Sequence, residues 1–269
     1  MDDVFGPLAD RADRVEGRHG LIVLDEGGTV LFERAADEVF TAASVVKIAL
    51  VMALYADAAD GRVSLDERLP VGEPVFGSGV LGLVPSVREV SVRDLAALTI
   101  AVSDNTAANL LIDRVGVERI AERLGRWGIT ESSLQRKMFD MEAKVRGLEN
   151  LMTPRETALL LLRLVRGECT DRATSDAVIA LLRGCQDETK LRRYLPAGVT
   201  VANKSGWLDG IRNDAGIIWA DRPVIAAGFT ADLPRLEEGS ALLGLLGWCS
   251  YRAAGGEVPL LPSEASRPS

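Results

Sequence analysis

The 269-residue chain holds five lysines, and two of them fall in short patterns that could do covalent chemistry. Ser44-Val45-Val46-Lys47 places a hydroxyl and an amine three residues apart at the mouth of an apolar stretch. On a helix that spacing puts both groups on one face, so the amine can reach the hydroxyl. A serine at a helix N-terminus also sits beside unpaired backbone N–H groups and the positive end of the dipole. Burial disfavours an ammonium, so Lys47 could carry a lowered pKa and act as general base for Ser44. The bare spacing is expected by chance about 0.3 times in this composition, and a serine that merely caps a helix satisfies it equally well.

Two further triplets stand beside it. Ser103-Asp104-Asn105 lies between two helical stretches, where a short loop projects side chains into a cleft. Ser103 could relay a proton between Lys47 and a leaving group, and Asn105 could orient Lys47 and donate to a substrate carbonyl. The plainer alternative is N-capping of the next helix. Lys204-Ser205-Gly206 ends a β-branched strand, and a strand edge is a place where a linear amide can dock. Lysine and hydroxyl there suit a substrate carboxylate, and Gly206 would let the substrate backbone come close. A strand-end turn is the plainer alternative. Chance supplies each tripeptide only about 0.02–0.03 times, so all three together carry weight.

Other chemistries find little support. His19 is the sole histidine, in a turn-like setting before a strand, so a Ser-His-Asp hydrolase could use no other. Cys169, Cys185 and Cys249 match no metal-knuckle spacing and read as small buried thiols. No metal and no cofactor is expected. The net charge of −8, with arginines interleaved among acids, disfavours nucleic acid as a partner. No apolar run approaches about 18 residues, so no membrane span is expected. Met1 to Pro7 is acidic and unlike a secretory signal. The chain as given is therefore expected in the cytoplasm; a periplasmic or secreted location would require a leader that had been removed.

These groups need elements to hold them. Strands are expected at 21–24, 29–32, 200–203, 215–220 and 224–229, and a helix over 236–254. The stretch from Ser44 to about Asp57 is apolar nearly all round, which marks a buried helix. Helices are expected over 92–102 and 106–114. Thr153-Pro154-Arg155-Glu156 has a capping-box pattern and opens another, to about Val165. The segment after Pro259 is expected to fray. Strands at both ends thus enclose a run of helices. The fold class is α/β (α+β): an antiparallel sheet built from both termini with flanking helices, plus an inserted all-α domain. Residues 1–41 and 199–269 form the sheet domain, 42–198 the helical one, and the site lies in the cleft between them.

With these residues in place, the sequence resembles the class A β-lactamases and related penicillin-recognising serine hydrolases, which share S-x-x-K, S-D-N and K-[ST]-G. The resemblance covers nearly the whole chain, including Ser103 to Asn109 and the strand Asn213 to Trp219. It implies a β-lactamase/transpeptidase-like fold and an acyl-serine intermediate. It makes Ser44 the nucleophile, Lys47 the base, Ser103 the proton shuttle and Asn105 a substrate-amide ligand. It puts the oxyanion hole at the N–H groups of Ser44 and Trp207. Lys204 and Ser205 would hold the carboxylate of a small substrate, a β-lactam or related amide or ester, with Arg212 as a second cation. Phe76, Val80, Leu81 and Trp207 are expected to line the cleft.

The resemblance fails at one point. Class A enzymes carry a glutamate that activates the deacylating water, on a loop before the Thr-Pro helix start. Aligning Arg136 with the arginine that opens that loop and Asn150 with the acid that closes it puts Met138 at the glutamate position. A thioether takes no proton from water. Asp140 and Glu142 are the carboxylates near enough to stand in. Acylation is thus fully equipped and deacylation is not. An esterase, amidase or acyl transferase on another substrate, and a non-catalytic penicillin-binding-like module, are the alternatives to a β-lactam hydrolase.

Overall fold

The computed structural model describes residues 3–258; the segment after Pro259 lies outside them. The N-terminal helix α1 (Gly6–Ala12) leads into β1 (Arg18–Asp25) and β2 (Val30–Arg34). The C-terminal half supplies β7 (Val201–Leu208), β8 (Ile211–Trp219), β9 (Pro223–Ala231) and the last helix, α9 (Leu236–Ala253). These five strands form one antiparallel sheet in the order β2-β1-β9-β8-β7. The join between the two ends is the β1–β9 pairing, with Leu21 opposite Gly228 and Val23 opposite Ala226. The strands run longer than their apolar cores suggest, because polar residues such as Arg18 and Asp25 still pair along the ladder.

Strand alternation sorts the side chains onto two faces. Leu21, Val23, Val201, Ile218 and Val224 pack with Leu242, Leu243 and Leu246 of α9 and Leu8 of α1. Ile22, Leu24, Ala215, Ile217 and Phe229 join the larger core on the other face. His19 alternates with Gly20 on β1, and Gly20 abuts Phe40 and Pro154 on the larger-core side. The imidazole therefore faces away from the side that carries Ser44, and a serine–histidine triad does not form.

Between β2 and β7 come β3 (Phe40–Thr41), a 3₁₀ turn (Ala43–Val46), α2 (Lys47–Ala59), β4 (Arg68–Pro70), a short 3₁₀ turn (Leu81–Leu83), β5 (Glu89–Ser91), α3 (Val92–Ala101), α4 (Asn105–Val115), α5 (Val117–Arg126), α6 (Met141–Val145), β6 (Leu151–Met152), α7 (Pro154–Arg166) and α8 (Arg172–Arg183). The segment is helical but carries two small ribbons, β3–β6 and β4–β5. In β5 only Val90 is buried, between Glu89 and Ser91, too short an alternation to notice in sequence. Helix α2 is buried from Lys47 to Asp57. Each fully buried Leu, Ile, Val or Met contributes about 1.5–3 kcal/mol. The charge it buries, Asp57, accepts hydrogen bonds from Arg123 Nε (3.1 Å) and Nη2 (2.7 Å) and from Arg119 Nη1 (3.3 Å).

Two local readings need amending. Ser44 does not begin an α-helix: Ala43 has a φ of +47°, and Lys47 N–H donates back to Ser44 O in a 3₁₀ turn. The Thr153 cap forms, with Oγ1 accepting from Glu156 N at 3.1 Å. Glu156, however, does not complete a capping box. Its carboxylate instead accepts the N–H groups of Thr130, Glu131 and Ser132 (2.6–3.2 Å), pinning the loop before β6 to α7. All three cysteines are buried and free. Among the described residues no helix is long and apolar enough to cross a membrane, and no group of three His, Cys, Asp or Glu could hold a metal ion.

Candidate active site

Ser44 is placed by main-chain ties on both sides. Ala42 N donates to Asn150 O at 2.8 Å, and Asn213 Nδ2 on β8 donates to Thr41 O (2.9 Å) and Ala42 O (3.3 Å). Asn213 Oδ1 in turn accepts from Thr230 N, so the amide is fixed at both ends. The 3₁₀ turn lies against β7, the edge strand of the sheet. A Cβ on Gly206 would stand 2.8 Å from Ser44 N and 3.0 Å from Ala43 Cβ. The approach of the serine turn by itself requires the glycine here.

Lys47 is fully buried beneath this turn. Its Nζ donates to Ser103 O (2.7 Å), Ser103 Oγ (3.0 Å) and Asn105 Oδ1 (2.9 Å). Burial, and then the nearby Lys204 ammonium, push its pKa well below the usual lysine range. The neutral amine has two N–H groups and one lone pair. With the N–H groups on Ser103 O and Asn105 Oδ1, the lone pair is left for a serine hydroxyl.

Asp104 serves structure. Its Oδ1 caps α4 through Ala107 N (2.9 Å), and Oδ2 accepts Val80 N (2.7 Å) and Leu81 N (2.9 Å). Ser78 Oγ donates to Ser103 O at 2.7 Å, and Asn105 Nδ2 to Phe76 O at 3.0 Å. The 76–81 loop is thus stapled along Ser103–Asn105. Ala43, Ser103 and Phe139 have φ of +47°, +56° and +59°, three of the five non-glycine residues with positive φ among the described residues. Such strain persists only where surrounding contacts impose it.

Lys204 and Ser205 are both buried on β7. Lys204 Nζ donates to Ser205 O at 2.5 Å. Ser205 Oγ donates to Asp187 Oδ2 at 2.7 Å, and Lys190 Nζ reaches the same oxygen at 2.5 Å. Burial opposes ionisation of Asp187, but the Lys190, Thr189 and Ser205 hydrogen bonds pull its pKa well below the usual carboxylate range. Behind them lies Asp214, wholly buried, accepting from Asn203 Nδ2 and Leu191 N; burial pushes it up to about 6. Arg212 pairs with Trp207 across β7–β8, and its Nη1 donates to Leu208 O and Ile211 O at the hairpin end. The cation beside Ser205 through Asp187 is therefore Lys190. Sequence reasoning passed over Asp187 and Lys190, and gave Asn213 and Asp214 no role beyond their place in the resembling strand; the signal for Lys190 was that it is another of only five lysines.

Of the expected cleft lining, Trp207 (58% exposed) and Phe76 (82%) are open to solvent. Leu81 is buried in the core and lines nothing. Phe139, which sequence reading did not single out, packs edge-on to Phe76 with ring centroids 5.6 Å apart.

The loop from Arg136 to Asn150 closes differently from the expected acid–arginine pair. Arg136 Nη2 pairs with Glu149 Oε1 at 2.6 Å, while Asn150 Oδ1 accepts Gln135 N and Arg136 N and its Nδ2 donates to Arg136 O. Met138 is buried, its main chain clamped by Asn109 Oδ1 to N (2.7 Å) and Nδ2 to O (3.0 Å). Asp140 caps α6 through Ala143 N at 2.8 Å, and Glu142 lies exposed in that helix's first turn.

Known proteins resemble this chain in sequence and in fold. The model of the β-lactamase enzyme family matches residues 7–252. A β-lactamase of Streptomyces lavendulae is 30% identical over 262 residues, covering 90% of this chain and 85% of that protein. The crystal structure of a β-lactamase from Sphaerobacter thermophilus superposes with a TM-score of 0.86 at 32% identity, covering 95% of this chain and 98% of that one. A variant of PBP-A in which glutamate replaces leucine, solved as an acyl-enzyme complex with penicillin G, gives 0.81 at 26% identity, covering 93% and 95%. By its match along nearly its whole length and its shared fold, the chain belongs to the β-lactamase enzyme family, as a β-lactamase-like serine hydrolase of the class A type.

Proposed function

We propose that Ser44 is the acylated nucleophile and that acylation outruns deacylation. Neutral Lys47 takes the Ser44 Oγ proton as Oγ attacks the substrate carbonyl. The N–H groups of Ser44 and Trp207 stabilise the oxyanion. The carbonyl C–N bond breaks, and the proton passes from Lys47 through Ser103 Oγ to the leaving nitrogen, giving an acyl ester on Ser44. Asn105 holds Lys47 and takes the substrate amide. Water then releases the acid slowly, because Met138 occupies the position where a base is expected. The centre lies in the cleft between the sheet segments (1–41 and 199–269) and the helical segment (42–198).

The observation that carries the reading is the buried Lys47 amine held on Ser103 and Asn105. The penicillin G acyl-enzyme of PBP-A supports an acyl intermediate in a protein of this fold. The substrate is a small β-lactam, amide or ester. A nitrocefin progress curve tests the proposal. The expected result is a burst matching the enzyme concentration, then slow turnover, with both absent in Ser44→Ala. A burst retained in Ser44→Ala overturns it.

A further inference from the structure

By the resemblance Lys204 and Ser205 would hold a substrate carboxylate, yet Ser205 already donates to a carboxylate of the chain itself. The segment bearing Asp187 crosses between the two halves of the site. Gln186 N donates to Ala101 O at 3.0 Å, two residues before Ser103, and the next side chain reaches Ser205 on β7. Ser205 Oγ has one proton, and Asp187 Oδ2 takes it. Lys190 Nζ bonds the same oxygen and Thr189 Oγ1. Thr189 donates its N–H (2.8 Å) and its hydroxyl (2.6 Å) to Asp187 Oδ1.

Charge accounting points the same way. Asp187 is the carboxylate paired with Lys190, and Arg192 lies further back, on Asn203 beside Asp214. The cation next to Ser205 is therefore already matched by an anion of the chain. Exposure decides which group a ligand meets. The Lys190 side chain is 3% exposed and that of Asp187 22%, so the cluster presents a carboxylate outward.

We propose that Asp187 is a specificity-determining residue: as a built-in anion bonded by Ser205 and Lys190, it occupies the carboxylate subsite and directs the enzyme to acyl donors uncharged at that position. This rests on the reading of Ser44 as nucleophile. Neutral esters and amides fit beside Asp187, whereas a substrate carboxylate, that of nitrocefin included, meets a like charge and acylates Ser44 more slowly, though still to one equivalent. Like-charge juxtaposition of this kind is a strong discriminator.

The test is the acylation rate constant for a penicillin and for its methyl ester, measured with wild type, Asp187→Asn and Asp187→Ala. The ester is expected to acylate wild type faster than the free acid. The acid-to-ester ratio is expected to rise about tenfold or more in both variants, since both remove the charge. A wild type that prefers the acid, or a ratio unmoved by both substitutions, overturns the proposal. Should the variants not fold, phenylboronic acids with and without a meta-carboxylate, titrated against wild type, give the same answer. The uncharged compound is expected to bind more tightly, and tighter binding of the carboxylate overturns the inference. Failure of the Ser44 reading is distinguishable, because Ser44→Ala would then still be acylated by the ester.

Discussion

The two walls that flank Ser44 are built in opposite ways. On one side, Lys47, Ser103 and Asn105 form a dense polar network in which a buried amine has every hydrogen bond accounted for. On the other, the Arg136–Asn150 loop is equally well ordered by hydrogen bonds, yet its paired charges close the loop or tie it to α4, where Lys137 meets Asp113. Glu149 holds Arg136 and Asp140 caps α6. Rigidity is common to both walls; the proposed reading puts a proton acceptor for Ser44 on one of them. The difference teaches that preorganisation alone does not complete a hydrolase. Forming the acyl ester needs the first wall, and cleaving it with water needs a base on the second.

Ser44→Ala is the strongest way to break the comparison. Loss of acylation on the order of 10⁵-fold or more is expected, as for other nucleophile removals, measured by the nitrocefin burst. Lys47→Ala follows, with acylation falling about 10²–10⁴-fold. The pH profile sharpens this one. A base acts when neutral, so acylation should rise with pH through the depressed pKa of Lys47 and then level off well below the ordinary lysine range. Lys47→Ala should erase that rising limb, and its persistence would remove Lys47 from the role.

Met138→Glu addresses the second wall. A carboxylate there should speed deacylation by about 10²-fold, read as faster steady-state turnover after the burst. Gly206→Ala probes the joint between β7 and the serine turn. A methyl group 2.8 Å from Ser44 N should cost about 1–3 kcal/mol, visible as a fall in Tm. The smallest effect concerns Asp214. Its folded-state pKa, about 6, lies above the ordinary carboxylate value, so the folded state holds the proton more tightly. Stability is therefore lost as pH rises from about 4 to 6. Asp214→Asn should flatten that decline in denaturant titrations and leave the variant more stable at neutral pH by on the order of 1 kcal/mol.

Much of this was legible in the sequence because the signals are local. The all-round apolar run marked α2 as buried, and β-branched stretches at both ends marked the strands that pair through β1 and β9. The three short patterns named the residues around Lys47. What stayed hidden depends on long-range approach. Gly206 gave no sign that its missing Cβ faces the Ser44 turn, because the contact spans 162 positions of chain. The 3₁₀ turn at Ala43–Val46 follows from the Asn213 and Asn150 ties, which no local propensity encodes. Asp187 and Lys190 belong to no motif in the stretch after α8. Only the fold brings them beside Ser205. Arg212, one strand away, was the more obvious cation, but its side chain reaches the carbonyls of its own hairpin.

The contrast between a complete acylating wall and an incomplete deacylating one is tested most directly by intact-mass spectrometry. The protein is mixed with a penicillin methyl ester, quenched from seconds to hours, and digested to map the adduct. A single acyl adduct on the peptide carrying Ser44 is expected, formed early and persisting long after acylation is complete. Product accumulating through many turnovers with no adduct ever detected, or an adduct on another residue, would contradict the account.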